Sequence, residues 1–257
     1  MPGTFFGPYG ENFSDYATPS GGNAGRFPAG HTLILPDDRT YRFAENDGTV
    51  EVAGYLYQSA LPVAHATNQA ADTARAAGAT VISATLGATA ASVDEYAEGY
   101  VHTNDAAGEG YAHRIRRAIA SGDGHAAADA SAVLTVNLEA GESVQVALTT
   151  SSEVTFSHNR FRVVLVHDSP PTAALVGVSP GVAAANRWYW SQTNGPAAVF
   201  TNGTLVIGDF CVPDANKDGY VMPSAAFETD GPYVGIVAHV NADEENSPVS
   251  YTHLRAH

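Results

Sequence analysis

The sequence predicts an all-β protein, built from short-stranded β-sandwich or β-barrel modules with a flexible N-terminal arm. Glycine and proline are plentiful, with 25 and 14 among 257 residues, and they separate apolar runs that have the length of strands. Long apolar stripes at helical spacing do not occur in the sequence. A chain of this length can bury one large hydrophobic core or two modest ones.

The stretch 185–240 shows the clearest alternation of short strands and glycine turns. Trp188 and Trp190 lie two residues apart, so both rings are expected on one face of a strand. Burial of a large side chain contributes about 1.5–3 kcal/mol. A core position for at least one tryptophan is therefore favoured over exposure of both.

Two more elements are predicted towards the end of this stretch. Asn202-Gly203 predicts a tight hairpin between residues 198–200 and 205–207, because a type I′ turn needs φ > 0 at both central residues. A last strand over 234–240 is expected to place one set of side chains on a single face. That set consists of Val234, Ile236, Ala238 and Val240.

Short strands are also predicted along the rest of the chain. They cover residues 31–36, 40–44, 49–53, 80–85, 99–103, 111–116, 133–138, 144–148, 154–158 and 161–167. In the third of these, Val50 and Val52 share one face and Glu51 lies on the other. The alanine-rich residues 60–79 allow a helix of two turns or an extended linker, and propensity does not decide between them.

The strands are expected to form two modules between two terminal segments. Residues 31–66 and 161–247 make the main β-module, and residues 67–160 make a second β-rich lobe. Residues 248–257 break the strand rhythm and resemble translated sequencing adapter, so this tail is predicted to be non-native. The N-terminal arm covers residues 1–30.

The arm carries more aromatic residues than disordered segments usually do. It is either a disordered tail or an arm that docks on a neighbouring subunit through its aromatic side chains. These side chains are Phe5, Phe6, Tyr9, Phe13 and Tyr16.

Charge excludes two classes of partner, and the cysteine content excludes an internal disulfide. The net charge is −15, and Lys217 is the only lysine. Such a chain repels nucleic-acid phosphates and anionic lipid, so neither partner is expected. Cys211 is the only cysteine, so an internal disulfide is excluded and a buried, inert thiol is expected. The N-terminus has no secretory-signal pattern, and no apolar run approaches the length of a membrane span.

Residues 177–181 match the G-x-S-x-G pattern of a hydrolase nucleophile elbow. In that elbow, the residue after the serine donates its backbone N–H to the oxyanion of the substrate. Pro180 follows Ser179 here and has no N–H to donate. A Pro-Gly turn is therefore predicted in place of a catalytic serine.

The run 214–219 reproduces positions 1, 3, 5 and 6 of an EF-hand calcium loop. Position 12 should be a bidentate glutamate but is Ala225, and a lysine lies inside the loop. A β-turn rich in Asp and Asn has the same composition. No calcium site tighter than roughly 10⁻⁴–10⁻³ M is predicted. The sequence leaves open whether Asp214, Asn216 and Asp218 bind calcium weakly.

No catalytic, cofactor-binding or metal-binding residue is predicted from the remaining motifs. His158 and His167 each stand alone in strand-like runs, where a hydrogen-bonded or surface histidine is expected. The acidic clusters 94–95 and 243–245 are expected to be solvated, and residues 105–110 are expected to form a turn.

Several stretches resemble virion structural proteins of tailed bacteriophages. They are residues 33–43, 52–58, 86–90, 96–100, 105–110, 147–154 and, above all, 190–199. The resemblance runs from about residue 31 to residue 247 and carries no catalytic motif. It implies a β-rich particle component, such as a capsid decoration or cement protein.

The expected function is therefore that of a non-enzymatic, capsid-associated virion protein without a cofactor. Its partners would be capsid or other virion proteins and further copies of the chain, in a virion assembled in the host cytoplasm. The alternative is a carbohydrate- or receptor-binding β-module of the particle, with Trp188, Tyr189 and Trp190 as an exposed stacking platform. An enzyme of unrecognised type is the third reading.

Overall fold

The computed structural model describes residues 4–6, 27–224, 232–240 and 251–253, the first and last of these as backbone only. It confirms the all-β class. In chain order the strands are β1 (Thr4–Phe6), β2 (Thr32–Ile34), β3 (Thr40–Glu45), β4 (Leu56–Gln58), β5 (Gln69–Ala70), β6 (Val81–Thr85), β7 (Tyr100–Asp105), β8 (Ala112–Arg114), β9 (Val133–Asn137), β10 (Glu153–Ser157), β11 (Leu165–Val166), β12 (Leu175–Val178), β13 (Trp188–Pro196), β14 (Phe210–Pro213), β15 (Val221–Pro223), β16 (Gly235–Ile236) and β17 (Tyr251–His253). Residues 64–66, in the alanine-rich stretch, form a single 3₁₀ turn. Among the described residues, no helix is long and apolar enough to cross a membrane.

The chain divides into two compact units. The first comprises residues 1–17, 29–61 and 160–257, and the second comprises residues 18–28 and 62–159.

The first unit contains one sheet of 11 strands. Its main path runs β1-β2-β3-β13-β17-β16-β14-β15, and β12, β4 and β11 pair beside β13. The nine-residue strand β13 is its centre, because it pairs with β3, β12 and β17. The outer strand β1 pairs in parallel with β2, and the rest of the N-terminal arm up to residue 26 lies outside the described residues. The same holds for the predicted tail, apart from β17.

Large aromatic rings fill the core of the first unit beside β13. The ring of Phe43 stacks on Trp188 at 5.1 Å between centroids and meets Trp190 edge-on at 4.9 Å. The shared contact with Phe43 confirms that both tryptophans lie on one face of the strand. Tyr189 points to the opposite face, where it packs in an apolar cluster with Val164 and other buried residues.

The second unit holds two sheets on one core. One sheet has the order β5-β10-β7-β8, and the other pairs β6 with β9. Ile82 and Val136 from the two-stranded sheet share a buried cluster with Val101 and Phe156 from the four-stranded sheet. Aliphatic side chains dominate this core.

The strand predicted over residues 49–53 is wrong. This stretch is not a strand, and Val50 and Val52 are exposed while Glu51 is buried. The expected alternation is confirmed, since the two valines lie on one side and Glu51 on the other. No strand forms there, and the Glu51 N–H donates to the carbonyl of Ala183, which lies outside the strands, at 2.8 Å.

Three other predicted elements are wrong. The Asn202-Gly203 hairpin does not form, because nearby N–H groups bond to carbonyls far away in the chain. The N–H of Phe200 donates to Gly54, and the N–H of Asn202 donates to Val221. Residues 144–148 form only an isolated bridge, through Leu148. Only residues 235–236 of the last predicted strand are extended, and Val234 and Val237 are buried while Ile236 and Ala238 are exposed.

Candidate functional site

Ser179, in the elbow-like motif, is buried in a turn after β12. Its hydroxyl donates to the carbonyl oxygen of Gly181 at 2.7 Å, inside the same turn. The residues that follow are not helical. The local geometry is that of the predicted Pro-Gly turn.

The calcium-like run forms the loop between the antiparallel strands β14 and β15. Asp214 is fully buried, and its Oδ1 accepts the N–H of Asn216 at 2.7 Å. Asp218 accepts the hydroxyl of Ser169 at 2.6 Å, and the ammonium of Lys217 lies 3.8 Å from the centre of the Tyr220 ring. These side chains thus all have contacts within the first unit. Among the described residues, no group of three His, Cys, Asp or Glu side chains could hold a metal ion.

Gly219 closes this loop for a steric reason. Its φ is +78°, and a Cβ there would lie 2.5 Å from the ring of Tyr55. Glycine avoids both the left-handed strain and the clash.

The alternative of an exposed aromatic platform is wrong. Trp188, Tyr189 and Trp190 are all buried, with exposed fractions of 0, 1 and 0%. The rings therefore stabilise the core, as the burial argument favoured, and cannot stack on a ligand at the surface. Cys211 is buried as predicted, and its Sγ lies 3.4 Å from the carbonyl oxygen of Gly235.

The first acidic cluster, residues 94–95, was predicted to be solvated, and this prediction is wrong for Asp94. Asp94 is fully buried, and its carboxylate accepts the backbone N–H groups of Gly122, Gly124 and His125 at 2.6, 2.9 and 3.1 Å. A buried carboxylate bound by several N–H groups serves to organise a loop. The second acidic cluster, 243–245, lies outside the described residues. Residues 105–110 do form the predicted turn, between β7 and β8.

Of the two singled-out histidines, His167 is hydrogen-bonded, as expected, and His158 lies within ion-pair distance of a carboxylate. His167 is fully buried, with its two ring nitrogens each 2.7 Å from a carbonyl oxygen, those of Asp168 and Tyr220. His158 has its Nε2 3.6 Å from Glu95 and its ring 4.8 Å from that of Tyr96.

Tyr96 lies at the centre of a polar cluster that the sequence did not reveal. Its hydroxyl lies 3.4 Å from Nε2 of His65, and its backbone N–H donates to Nε2 of His125 at 2.9 Å. Together with His158 and Glu95 these residues come from distant points of the second unit. Spacing along the chain therefore gave no signal for the cluster.

Glu51 forms a second polar cluster that the sequence did not reveal. It is 2% exposed, and its Oε2 has no hydrogen-bond partner in the described part of the chain. Burial raises the pKa of Glu51 to about 8; the Tyr57 hydroxyl opposes this rise and the charge of Asp47 adds to it. The carboxyl group is therefore mostly protonated at neutral pH. Tyr189 faces the same group, and burial followed by the charge of Glu51 raises its pKa.

The first unit also has a cavity of about 520 Å³ beside β13. Val178 and Gln192 line it from neighbouring strands, and the segment 196–200 lines it at the end of β13. Phe200 forms part of the wall and is held by Tyr55, with ring centroids 5.3 Å apart. Arg39 contributes the one charged side chain among the lining residues.

An exposed apolar patch of the first unit consists of Val206, Ile207, Phe210 and Ile236. Backbone bonds from Asp209 to Val206 and from Gly208 to Val237, at 3.1 and 2.8 Å, hold these residues together just before and beside β14. Each of these side chains is more than a third exposed. Phe210 and Ile236 are direct partners in the β14–β16 pair, so their side chains are neighbours on one face. Exposed apolar side chains grouped in this way are typical of protein–protein interfaces.

Scans against protein-family models, curated proteins and solved structures each found no match to the chain. A functional conclusion must therefore be argued from the geometry of the cavity, the apolar patch and the buried polar clusters alone.

Proposed function

We propose that this protein is a non-enzymatic structural component of a tailed-phage virion, associated with the capsid as a decoration or cement protein. The observation that carries the proposal is the apolar patch on a chain of net charge −15. An acidic surface keeps the protein soluble, and an apolar patch within it favours docking on another protein.

The use of the polar side chains supports the same proposal. The hydroxyl of Ser179, the carboxylate of Asp94 and the ring nitrogens of His167 are all engaged in hydrogen bonds inside their own unit. Groups bound in this way stabilise turns and loops. A particle protein needs such rigidity more than it needs reactive groups.

The charge also favours one side of the shell. A subunit of net charge −15 is repelled by packaged DNA, so the outer surface is the favoured position. Its partners are then capsid proteins and further copies of itself.

The direct test is the composition of purified virions. Mass spectrometry of gradient-purified particles of the source phage is expected to show the protein in many copies. Normal expression in infected cells without incorporation into particles would contradict the proposal.

The apolar patch gives a second test at the level of single residues. Phe210→Asp and Ile236→Asp are expected to reduce co-sedimentation with particles while leaving the urea unfolding midpoint of the first unit nearly unchanged. The matched control is Ile119→Asp in the second unit, since Ile119 is 70% exposed. Equal loss of binding in the control would show that the patch has no special role.

A further inference from the structure

We propose that the cavity beside β13 binds a peptide segment, and that residues 7–20 of a neighbouring copy supply it. This inference deepens the proposed function, on which it rests, by naming the partner and the site of one assembly contact.

The orientation of the Gln192 side chain is the first argument. Its Nε2 donates to the carbonyl oxygens of Asn194 at 3.2 Å and Pro196 at 2.8 Å, which determines which end of the amide is oxygen. The residue is 3% exposed and lines the cavity. Within the described part of the chain, Oε1 accepts no hydrogen bond. The cavity therefore contains a fixed acceptor for a donor on a ligand.

The main chain of Ala197–Val199 is the second argument. These residues line the cavity, and their N–H and C=O groups make no hydrogen bond within the described residues. The next residue, Phe200, is bonded on both sides, to Gly54 and to Val221. Three successive residues thus offer donors and acceptors in alternation, and another polypeptide main chain is the ligand that matches such a row.

The other residues that line the cavity determine which ligand side chains can fit into it. Val178, Val199 and Phe200 give apolar walls, and Gly54 keeps the space beside Phe200 open, since a Cβ there would lie 3.2 Å from the ring. Arg39 forms an ion pair through Nε with Asp37 at 2.8 Å, and its Nη1 donates to the Tyr41 hydroxyl at 3.1 Å. Its Nη2 is left to donate to an acidic or carbonyl oxygen of a ligand. The cavity therefore suits an apolar or aromatic peptide with few acidic groups.

The chain itself contains such a segment. Residues 7–20 carry three aromatic side chains, two acidic side chains and no basic one. They follow β1, which already pairs its main chain with β2 at the edge of the sheet. The aromatic residues are Tyr9, Phe13 and Tyr16, and the acidic residues are Glu11 and Asp15.

The test is titration of the full chain, at low concentration, into a fluorescently labelled synthetic peptide of residues 7–20, followed by anisotropy. Saturable binding is expected, with an affinity at least about tenfold lower for Ala198→Trp, whose indole would fill the cavity. Ala198 is exposed, so this variant should fold, and its urea unfolding curve checks that. The matched control, Ala127→Trp at an exposed site of the second unit, should bind like the unchanged chain.

A peptide with alanine at Tyr9, Phe13 and Tyr16 is expected to bind at least about tenfold more weakly. Absence of peptide binding, or equal binding to the Ala198→Trp variant, would overturn the proposal. Equal binding of the alanine peptide would show that the aromatic segment is the wrong occupant. These outcomes are independent of the virion assay, so a failure here leaves the proposed particle role intact, and absence from virions leaves the peptide result intact.

Discussion

Two buried acidic residues, Glu51 in the first unit and Asp94 in the second, are accommodated in opposite ways. In the first unit the carboxyl of Glu51 lies among Tyr57, Tyr189 and Asp47, and burial raises its pKa to about 8. In the second unit the carboxylate of Asp94 accepts three backbone N–H groups. A buried charge costs several kcal/mol unless it is paired or hydrogen-bonded. Glu51 avoids that cost by staying neutral, and the N–H donors around Asp94 offset it.

The hydrophobic cores of the two units also differ in the kind of side chain that fills them. The first unit relies on a few large rings, and the second on many smaller aliphatic side chains that join two sheets. A core built on few large side chains loses more when one of them is removed. The contrast can therefore be tested by substitution and by pH.

The largest effect is expected from Trp188→Ala in the first unit. The side chain is fully buried and stacks on Phe43, so its removal should cost about 3–5 kcal/mol of unfolding free energy. Urea unfolding monitored by circular dichroism measures the loss. Ile119→Ala, at a site 70% exposed, is the control and should change stability by less than about 0.5 kcal/mol. A loss below about 1 kcal/mol for the tryptophan would mean that the rings are not the core of this unit.

The second largest effect concerns Glu51→Gln and depends on pH. The pKa of Glu51 is raised in the folded state to about 8, from an ordinary value of 4.5. Its contribution to stability is thus complete below pH 4.5 and is lost as the pH rises towards 8. Each pKa unit corresponds to about 1.4 kcal/mol, so the loss is on the order of 3 kcal/mol once water entering the site is allowed for.

Glutamine cannot ionise, so the variant should match the unchanged chain at pH 4 and exceed its stability at pH 9. Thermal unfolding across that range measures the difference. The same exchange at the exposed Glu109 is the control. A difference that stays constant with pH would show that Glu51 is not held neutral.

The third effect is expected from Asp94→Ala in the second unit. The substitution leaves the N–H groups of Gly122, Gly124 and His125 without their acceptor, which should cost about 2–3 kcal/mol. Asp94 also has a φ of +57°, which asparagine tolerates better than alanine. Asp94→Asn should therefore lose less, and amide hydrogen exchange at Gly122 and Gly124 should be faster in the alanine variant. Equal stability of both variants and the unchanged chain would contradict the role of the carboxylate.

The sequence predicted the fold class and most strands correctly, because alternation and glycine turns are local signals. The strand predicted over residues 49–53 is absent, since the N–H of Glu51 bonds to the carbonyl of Ala183, far away in the chain. The Asn202-Gly203 hairpin failed for the same reason, because distant carbonyls outcompeted the local turn. The cavity could not be predicted either, since Arg39, Gly54 and Gln192 meet only in the folded sheet.

The smallest effect, Glu95→Gln in the second unit, should have the opposite pH dependence to that of Glu51. Glu95 accepts the N–H of Ser92 at 2.8 Å, and its other oxygen lies 3.6 Å from His158. Burial would raise the pKa of Glu95, but the interaction with His158, the hydrogen bond from Ser92 and the nearby His65 outweigh it and lower the pKa.

A lowered pKa in the folded state gives stability that is present above the ordinary value of 4.5 and is lost as the pH falls. The glutamine variant should therefore be less stable than the unchanged chain at pH 7, by less than about 1 kcal/mol because the pair is partly exposed, and should approach it at pH 3. Unfolding curves at both pH values measure this, with Glu51→Gln examined in parallel. If both variants changed stability with the same sign as the pH rose, the contrast between a neutral acid in one unit and an ionised acid in the other would be wrong.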